Sequence, residues 1–278
     1  MLRPLTFAIA LLLATGCVYT EAYARKDVDA EAAQSVQMAN AHHPRWFSSI
    51  VWAVMENHGT LQTRELPGEQ YLIKNGATFK RYYAITHPSG PNYRAITSGE
   101  IWNHNEVYGH QEPTVASELT AIGIPTIDWY FAGTPDLKHD PYHDLKSTVT
   151  VRTDAFQPDT LPAECQVYLG LDDDNNAHNG PLSAVSDNIL KLVNTLDRSK
   201  WFNTPVHGKY PVLLVTWDES FTADNDVLTA FYGKGIKPGY VSSDAYNHYN
   251  LCRTLTDNWG LAPLGHGREA KPISDIWN

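Results

Sequence analysis

The apolar run S-I-V-W-A-V-M at residues 49–55 stops abruptly at the polar pair E-N. A second run, Y-P-V-L-L-V-T-W at residues 210–217, stops in the same way at the acidic pair D-E. Apolar runs of this length without polar alternation are typical of strands that are buried on both faces, as in a parallel sheet. Amphipathic helical patterns separate the two runs, so strands and helices alternate along the chain. The sequence therefore predicts an α/β fold with a largely parallel central sheet flanked by helices.

Apolar periodicity predicts two helices between these runs. The longer one follows Pro181, and its apolar residues recur every three or four positions as far as Leu196. The shorter one covers Val115 to Ile122 and is followed by a strand-like segment at residues 124–131.

The first 24 residues have the pattern of a signal peptide. Arg3 precedes an apolar run at residues 5–14 that is too short to span a bilayer. The triplet A-Y-A ending at Ala24 fits the small-x-small cleavage pattern, whereas A-T-G-C ending at Cys17 resembles a lipobox that lacks its leading Leu. We expect cleavage after Ala24 and a periplasmic or secreted protein with no transmembrane segment in the mature chain. A lipoprotein anchored at Cys17 is the alternative.

Composition limits the number of domains and the kinds of partner. The 278 residues are 42% hydrophobic and carry a formal net charge of −10. This is an ordinary globular composition, and we expect a polar lead-in at residues 25–45 and a single domain at 46–278. The negative charge argues against nucleic-acid binding, since such proteins need a basic surface. An anionic substrate must therefore be held by local positive charge.

Loss of the signal peptide would leave two cysteines, Cys165 and Cys252. In an oxidising compartment they could form a disulfide if their Cα atoms are close enough. Two buried free thiols are an equal alternative at this stage.

The polar residues that follow the two apolar strands are candidates for a metal site. Glu56-Asn57 and Asp218-Glu219 would meet at the carboxyl edge of the sheet, where ligands gather in open α/β folds. Three carboxylates and an amide oxygen suit a divalent cation such as Mg, Ca or Mn. A solvated turn at each strand end is the simpler interpretation of either pair alone.

The segment T-H-P-S-G-P-N-Y at residues 86–93 is a candidate for the reacting group. Pro91 suits the first turn of a helix that would end before Gly99, which places Ser89 at the helix start. There Ser89 could be a nucleophile if a base or a metal activates it, or simply an N-cap. The Asn92 amide could contact a phosphoryl oxygen or serve only in the turn.

A third cluster, D-D-D-N-N-A-H-N-G at residues 172–180, contains Asp174 and His178 four positions apart. This spacing brings both side chains to one side of a turn, as is common for metal ligands. With His248 they would form a histidine-containing site that favours Zn. An EF-hand is excluded because Ala177 stands where the loop needs Gly. The alternative is an acidic, Asn-rich surface loop.

Taken together, these segments form an ordered series of motifs from about Ile50 to Trp277. The motifs are V-M-E-N-H-G at 54–59, T-H-P-S-G-P-N-Y at 86–93, K-H-D-P at 138–141, D-N-N-A-H-N-G at 174–180, V-T-W-D-E at 215–219, N-H-Y-N at 247–250 and P-I-S-D-I-W at 272–277. The series resembles the phosphoesterase family of bacterial acid phosphatase A and the phosphatidylcholine-type phospholipases C, a branch of the alkaline phosphatase superfamily. The resemblance implies an alkaline phosphatase-like fold and a single phosphoesterase catalytic domain at residues 46–278.

The resemblance also implies a metal site and a nucleophile. Glu56 and Asn57 match the first metal-binding pair of the family, and Asp218 with Glu219 matches the second. Ser89 matches the nucleophile, which coordinates the same metal and takes the phosphoryl group.

Further matches imply contacts with phosphate or with a second ion. Asn92 matches an amide that contacts a nonbridging phosphoryl oxygen. Asp174, His178 and His248 match the second-ion site of two-metal members, while the equivalent histidines contact phosphate around a single metal in the acid phosphatase branch. His139 matches a phosphate ligand or proton donor, although its motif K-H-D-P-Y departs twice from the family's K-H-N-P-F.

We therefore expect metal-dependent hydrolysis of phosphate monoesters through a phosphoserine on Ser89, with His139 or His178 protonating the leaving group. One divalent metal ion is expected and a second is conceivable. The substrate would be a small phosphorylated molecule or a phospholipid headgroup. A phospholipase C-type phosphodiesterase is the second choice, because the larger relatives with that activity carry additional C-terminal β domains. A phosphate-binding protein without catalysis is the non-enzymatic alternative.

Overall fold

The computed structural model describes residues 44–101, 113–143, 145–152 and 155–278. The predicted signal peptide, with Cys17, lies outside these residues, as does all of the predicted lead-in except its last two residues. Within the described part of the chain, no helix has both the length and the apolar character needed to cross a bilayer.

The centre of the fold is one eight-stranded sheet. Its strands are β1 Ile50–Met55, β2 Ala77–Tyr83, β3 Thr126–Ala132, β4 Thr148–Arg152, β5 Gln166–Leu171, β6 Val212–Trp217, β7 Ala230–Tyr232 and β8 Tyr240–Asn247. Their order across the sheet is β4-β3-β5-β1-β6-β7-β2-β8. Only the pairings of β7, with β6 and with β2, are antiparallel, so seven strands share one direction. The predicted α/β fold with a largely parallel sheet is confirmed.

Six α-helices accompany the sheet in the described residues. They are α1 Thr60–Thr63, α2 Pro67–Asn75, α3 Ser89–Ser98, α4 Val115–Ala121, α5 Leu182–Arg198 and α6 His248–Asn258. Short 3₁₀ turns cover Leu137–His139, Pro158–Thr160 and Gly265–Arg268. Helix α5 packs on α2, and α3 packs on α6.

The core follows from the two apolar runs. Every residue of β1 and of β6 is buried, and the two strands lie side by side with Met55 opposite Trp217. Helix α5 buries the stripe that its periodicity predicts, including Val185, Ile189 and Leu196. Burial of each such side chain contributes about 1.5–3 kcal/mol. The predicted helix at 115–122 and the strand at 124–131 are both present, with bounds that differ by one or two residues.

Both cysteines of the domain are buried free thiols. Burial raises the pKa of Cys165 and of Cys252 to about 12, so neither is ionised at neutral pH. Of the two alternatives from the sequence, the structure has the free thiols.

Candidate active site

The site lies at the carboxyl edge of the sheet, where β1 and β6 end together. Because the two strands are parallel and in register, the residues after Met55 and Trp217 emerge side by side. The Asn57 backbone N–H donates to Asp218 Oδ1 at 2.9 Å, and Asn57 itself adopts a left-handed conformation with φ of 60°. This turn joins the two polar pairs that the sequence predicted to meet.

Ser89 begins helix α3 and points into this cluster of oxygen atoms. Its Oγ lies 3.0 Å from Glu56 Oε2 and 3.3 Å from both Asn57 Oδ1 and Glu219 Oε1. The N-cap position is occupied by Pro88, and no side chain caps this helix. The interpretation of Ser89 as an N-cap is therefore wrong, because its hydroxyl faces the carboxylates instead.

Three buried carboxylates lie close together at this edge of the sheet. Glu56 and Asp218 are fully buried and Glu219 is 8% exposed. Burial, followed by the charge of Asp218, raises the pKa of Glu56, and burial with the charge of Glu219 raises that of Asp218. Asp218 Oδ2 has no hydrogen-bond partner among the described residues. The His87 ring contacts Glu219 Oε2 through its Nδ1. Buried carboxylates this close together are unfavourable unless positive charge compensates them, so this donor set fits a divalent cation with oxygen ligands.

Tyr93 holds the Glu56 carboxylate in place with a hydrogen bond. It lies four residues after Ser89, so both side chains project from the same face of α3. The buried Tyr93 hydroxyl donates a short hydrogen bond to Glu56 Oε1. This contact is not among those predicted from the sequence, although the i, i+4 spacing from Ser89 was a signal for it.

His139 sits between Glu56 and an acidic residue of the loop after β5. Its Nδ1 is 2.8 Å from Asp173 Oδ1 and its Nε2 is 3.4 Å from Glu56 Oε2. Burial lowers the pKa of His139 to about 4, although Asp173 opposes this effect. The ring is therefore neutral at pH 7, and an Nδ1 proton donated to Asp173 leaves the Nε2 lone pair directed at the site.

His178 completes a group of ligand-type atoms. Glu56, His139 and His178 each offer one such atom, and these atoms lie within 4.8 Å of one another. His178 Nδ1 is 3.6 Å from Asp173 Oδ2, and its Nε2 is 3.4 Å from Lys138 Nζ. This group could hold a metal ion or contact a phosphate, the two roles expected of His178 from the sequence.

Asp173, and not Asp174, is the acidic partner of the two histidines. Asp174 is exposed, whereas Asp173 contacts both His139 and His178. The turn after β5, in which the N–H groups of residues 175 and 176 bond to the carbonyl of Asp172, sets which carboxylate faces the site. In a run of three aspartates the sequence does not reveal that orientation.

His248 is the first residue of helix α6 and contacts the backbone directly after β6. Its Nε2 donates to the backbone carbonyl of Asp218 at 2.8 Å, and the Tyr82 hydroxyl donates to its Nδ1 at 3.3 Å. Burial lowers the pKa of His248 to about 4, which keeps the ring neutral. Since both ring nitrogens are occupied, His248 supports the end of β6 in this arrangement and is not brought together with His178.

Asn92 is fully buried and binds the loop that precedes Ser89. Its Oδ1 accepts from the N–H groups of Ile85 and Thr86, and its Nδ2 donates to the carbonyls of Thr86 and Pro88. A contact between Asn92 and a phosphoryl oxygen would require it to give up one of these bonds. The structure thus has Asn92 in the turn, which was the simpler alternative from the sequence.

The geometry can be compared with known proteins. The chain is 29% identical over 255 residues to phosphatidylinositol-3-phosphatase of Mycobacterium tuberculosis, and the alignment covers 83% of each protein. It is 23% identical over 299 residues to the phosphate-repressible acid phosphatase of Penicillium chrysogenum, covering 94% of this chain and 71% of that relative. A solved structure of an alkaline phosphatase superfamily protein from Vibrio parahaemolyticus matches with a TM-score of 0.59 at 15% identity, covering 84% of this chain and 73% of that one. No protein-family model matches the chain.

These observations define the class of protein. The fold is that of the alkaline phosphatase superfamily, as the resemblance implied. With phosphatases as its relatives, the chain is a phosphoric ester hydrolase.

Proposed function

We propose that the chain is a phosphomonoesterase of the acid phosphatase A type, with Ser89 as the nucleophile. The observation that carries this proposal is the position of Ser89 Oγ, buried at a helix start and within 3.3 Å of Glu56, Asn57 and Glu219. A serine so surrounded by acceptors is held in one orientation, and its hydroxyl is directed at the edge where substrates bind in such sheets.

A divalent cation fits the same oxygen atoms. Glu56, Asn57, Asp218 and Glu219 would hold it together with Ser89, and the unpartnered Asp218 Oδ2 is a donor atom ready for that role. Bound there, the ion would supply positive charge to stabilise the serine alkoxide and the phosphoryl oxygens. The donor chemistry suits Mg, Ca or Mn, while the two histidines would favour Zn. Asp174 and His248 would not contribute to a second site in this arrangement.

The chain's own residues would carry out two displacements at phosphorus. Ser89 Oγ forms a bond to phosphorus as the bond to the leaving alkoxide breaks, and the alkoxide takes a proton. A water molecule then displaces Ser89 from phosphorus, and the serine regains its proton. Lys138, beside His178, supplies local positive charge for the phosphate in an otherwise acidic protein.

His178 is a better candidate than His139 for the proton donor. His139 is buried with its pKa lowered to about 4, so it carries no proton to donate from Nε2 at neutral pH. His178 is partly exposed, and its Nε2 lies 3.4 Å from Lys138 Nζ, a proton-bearing group. His139 would instead act as a ligand or a phosphate contact.

The nucleophile is tested by Ser89→Ala, with Ser98→Ala on the same helix as the matched control. Ser98 is also buried, but its hydroxyl donates to the Arg94 carbonyl and not to the site. We expect Ser89→Ala to abolish hydrolysis of p-nitrophenyl phosphate and Ser98→Ala to retain it. Acid quenching of the wild type followed by peptide mass spectrometry should give a phosphopeptide containing Ser89. Substantial turnover by Ser89→Ala would refute the assignment.

A lipid phosphate is the second candidate substrate. The relative from Mycobacterium tuberculosis is named for a phosphorylated lipid, and two large apolar side chains are exposed beside the site. Phe221 is 74% exposed two residues after Glu219, and Leu61 is 80% exposed in α1. Comparison of dioctanoyl phosphatidate and phosphatidylcholine with p-nitrophenyl phosphate would separate a lipid phosphatase from a phospholipase C and from a phosphatase of soluble esters.

A further inference from the structure

A cavity of about 390 Å³ opens at the carboxyl end of β3. Among the described residues, its lining includes two cations, Arg152 and Lys191, with the polar residues Thr134, Asn175 and Asn188. One carboxylate, that of Asp172, packs against the lining residue Gly133 and accepts from the Asn175 amide. The described side chains that line the cavity thus carry positive charge, although the chain as a whole has 31 acidic and 21 basic residues.

Both cations are held against aromatic rings and not against carboxylates. The Arg152 Cζ lies 5.0 Å from the ring centroid of Tyr130, and the Lys191 Nζ lies 5.3 Å from that of Phe131. No ion pair joins either cation to a carboxylate of the described residues. Cation–π contacts orient a cation but leave its N–H groups able to bind an anion.

The buried carboxyl beneath the cavity does not cancel this charge. Asp128 lies on β3 opposite Thr150 of β4 and is fully buried. Burial, followed by the charge of Asp140, raises the pKa of Asp128, whereas Arg152 lowers it by a smaller amount. A protonated Asp128 leaves the positive charge of Arg152 available to a ligand.

The cavity and the active site share one wall. The loop after β5 places Asp173 against His139, and two residues later the same loop lines the cavity with Asn175. In the strand order β4-β3-β5-β1, the β3 wall of the cavity lies roughly 10 Å across the sheet from the end of β1, and Arg152 on β4 lies roughly 14 Å from it, at a spacing of about 4.8 Å per strand.

We propose that this cavity binds a second anionic group of the substrate, a phosphoryl or phosphodiester group, while the scissile phosphate lies at Ser89. The inference rests on the proposed function and specifies the substrate class as molecules with two phosphate groups roughly 10–14 Å apart. Arg152 provides a planar fork of donors for phosphate oxygens, and Lys191 adds a point charge.

Binding is the first test, because it does not depend on turnover. The probes are 1,8-octanediol bisphosphate, whose phosphates can lie up to roughly 14 Å apart, and 8-hydroxyoctyl phosphate, which lacks the second one. Calorimetry on metal-loaded Ser89→Ala should show tighter binding of the bisphosphate. Adding Arg152→Gln and Lys191→Gln should reduce that preference by about three- to tenfold per cation. Arg198→Gln, which removes an exposed cation from α5 outside the cavity, is the charge-matched control and should retain the preference.

Kinetics provide the second test. The ratio of kcat/KM for the bisphosphate to that for the monophosphate should fall in the Arg152→Gln/Lys191→Gln enzyme and stay at the wild-type value in Arg198→Gln. If the wild type hydrolyses neither probe, the proposed function fails. The ratio of the two binding affinities still shows whether the cavity binds a second phosphate. Equal affinities for both probes in the parent and in the double variant would overturn the inference. A titration with inorganic phosphate could instead show a second binding site that the double variant loses, while the bisphosphate binds no more tightly than the monophosphate. The cavity would then be a site for free phosphate, and its role in substrate binding would be overturned.

Discussion

Replacement of Glu69 by Gln should stabilise the protein in a way that depends on pH. Glu69 lies in the first turn of α2 and is fully buried, and neither of its carboxylate oxygens has a partner from another described residue. The burial arises because α2 approaches α5 closely: Gly68 N–H donates to Ser186 Oγ at 2.8 Å, and a Cβ at Gly68 would lie 2.6 Å from the Ser186 carbonyl. Burial raises the pKa of Glu69 from 4.5 to about 7.

The magnitude follows from linkage between ionisation and folding. Because the folded-state pKa is raised, the unfolded chain loses this proton more readily, and stability falls as the pH rises from 4.5 through 7. At 1.36 kcal/mol per pH unit, the two pKa values give a loss of about 0.8 kcal/mol at pH 5 and about 3.3 kcal/mol at pH 8. Gln keeps the shape of the side chain but does not ionise.

The assay is urea unfolding of the wild type and Glu69→Gln at pH 5, 6, 7 and 8 with the same metal or chelator throughout. The difference in free energy of unfolding, variant minus wild type, should grow by about 2.5 kcal/mol between pH 5 and pH 8. Glu65→Gln removes a neighbouring carboxylate whose side chain is 76% exposed and should show little growth. A difference for Glu69→Gln that is flat across this range would show that its carboxyl is not buried as described.

Further outcomes are expected at the site and at the N-terminus. Tyr93→Phe removes a hydrogen bond to the Glu56 carboxylate worth about 1.5–3 kcal/mol, so kcat/KM should fall by roughly 10- to 100-fold in a stopped assay, and a wild-type rate would argue against a role for this bond. Chelation with EDTA should abolish activity and lower the melting temperature. Divalent metal at 100 times its Kd should then raise the free energy of unfolding by about 2.7 kcal/mol. Full activity of metal-free protein would contradict the metal role of Glu56 and Asp218. Phe221→Ser should slow hydrolysis of lipid phosphate in vesicles without changing that of p-nitrophenyl phosphate. Mass spectrometry of exported protein should give a mature chain that begins at residue 25, and a lipidated Cys17 would support the alternative.

The sequence predicts those parts of the fold that an uninterrupted apolar pattern specifies. Strands β1 and β6 are buried on both faces, so their residues are apolar without alternation and the runs are visible directly. Strand β8, Y-V-S-S-D-A-Y-N, is mostly exposed and lies at the edge of the sheet, so its composition does not distinguish it from a loop. Its direction and its pairing with β2 depend on contacts between distant residues.

The same distinction applies to the site. The meeting of Glu56-Asn57 with Asp218-Glu219 is predictable, since it depends only on two parallel strands ending at one edge. The direction in which an individual side chain points is set by a turn or by competing backbone donors and acceptors. For this reason Asn92 is committed to the loop at residues 85–88 and His248 to the Asp218 carbonyl. Residue type and spacing suggest a ligand in both cases, while hydrogen bonds to the backbone occupy the atoms that would bind it.

The charges of the protein have two separate functions in this arrangement. Buried carboxylates at the ends of β1 and β6 repel one another, and their raised pKa values are a measure of the stability that the fold gives up to hold them together. Only a bound cation turns that repulsion into attraction, and the same cation then draws in a phosphate that the net charge of −10 would otherwise repel. The cavity with Arg152 and Lys191 needs no metal for its positive charge. Removal of metal should therefore weaken the binding of a monophosphate more than that of a bisphosphate, and calorimetry with and without EDTA on Ser89→Ala can measure the difference.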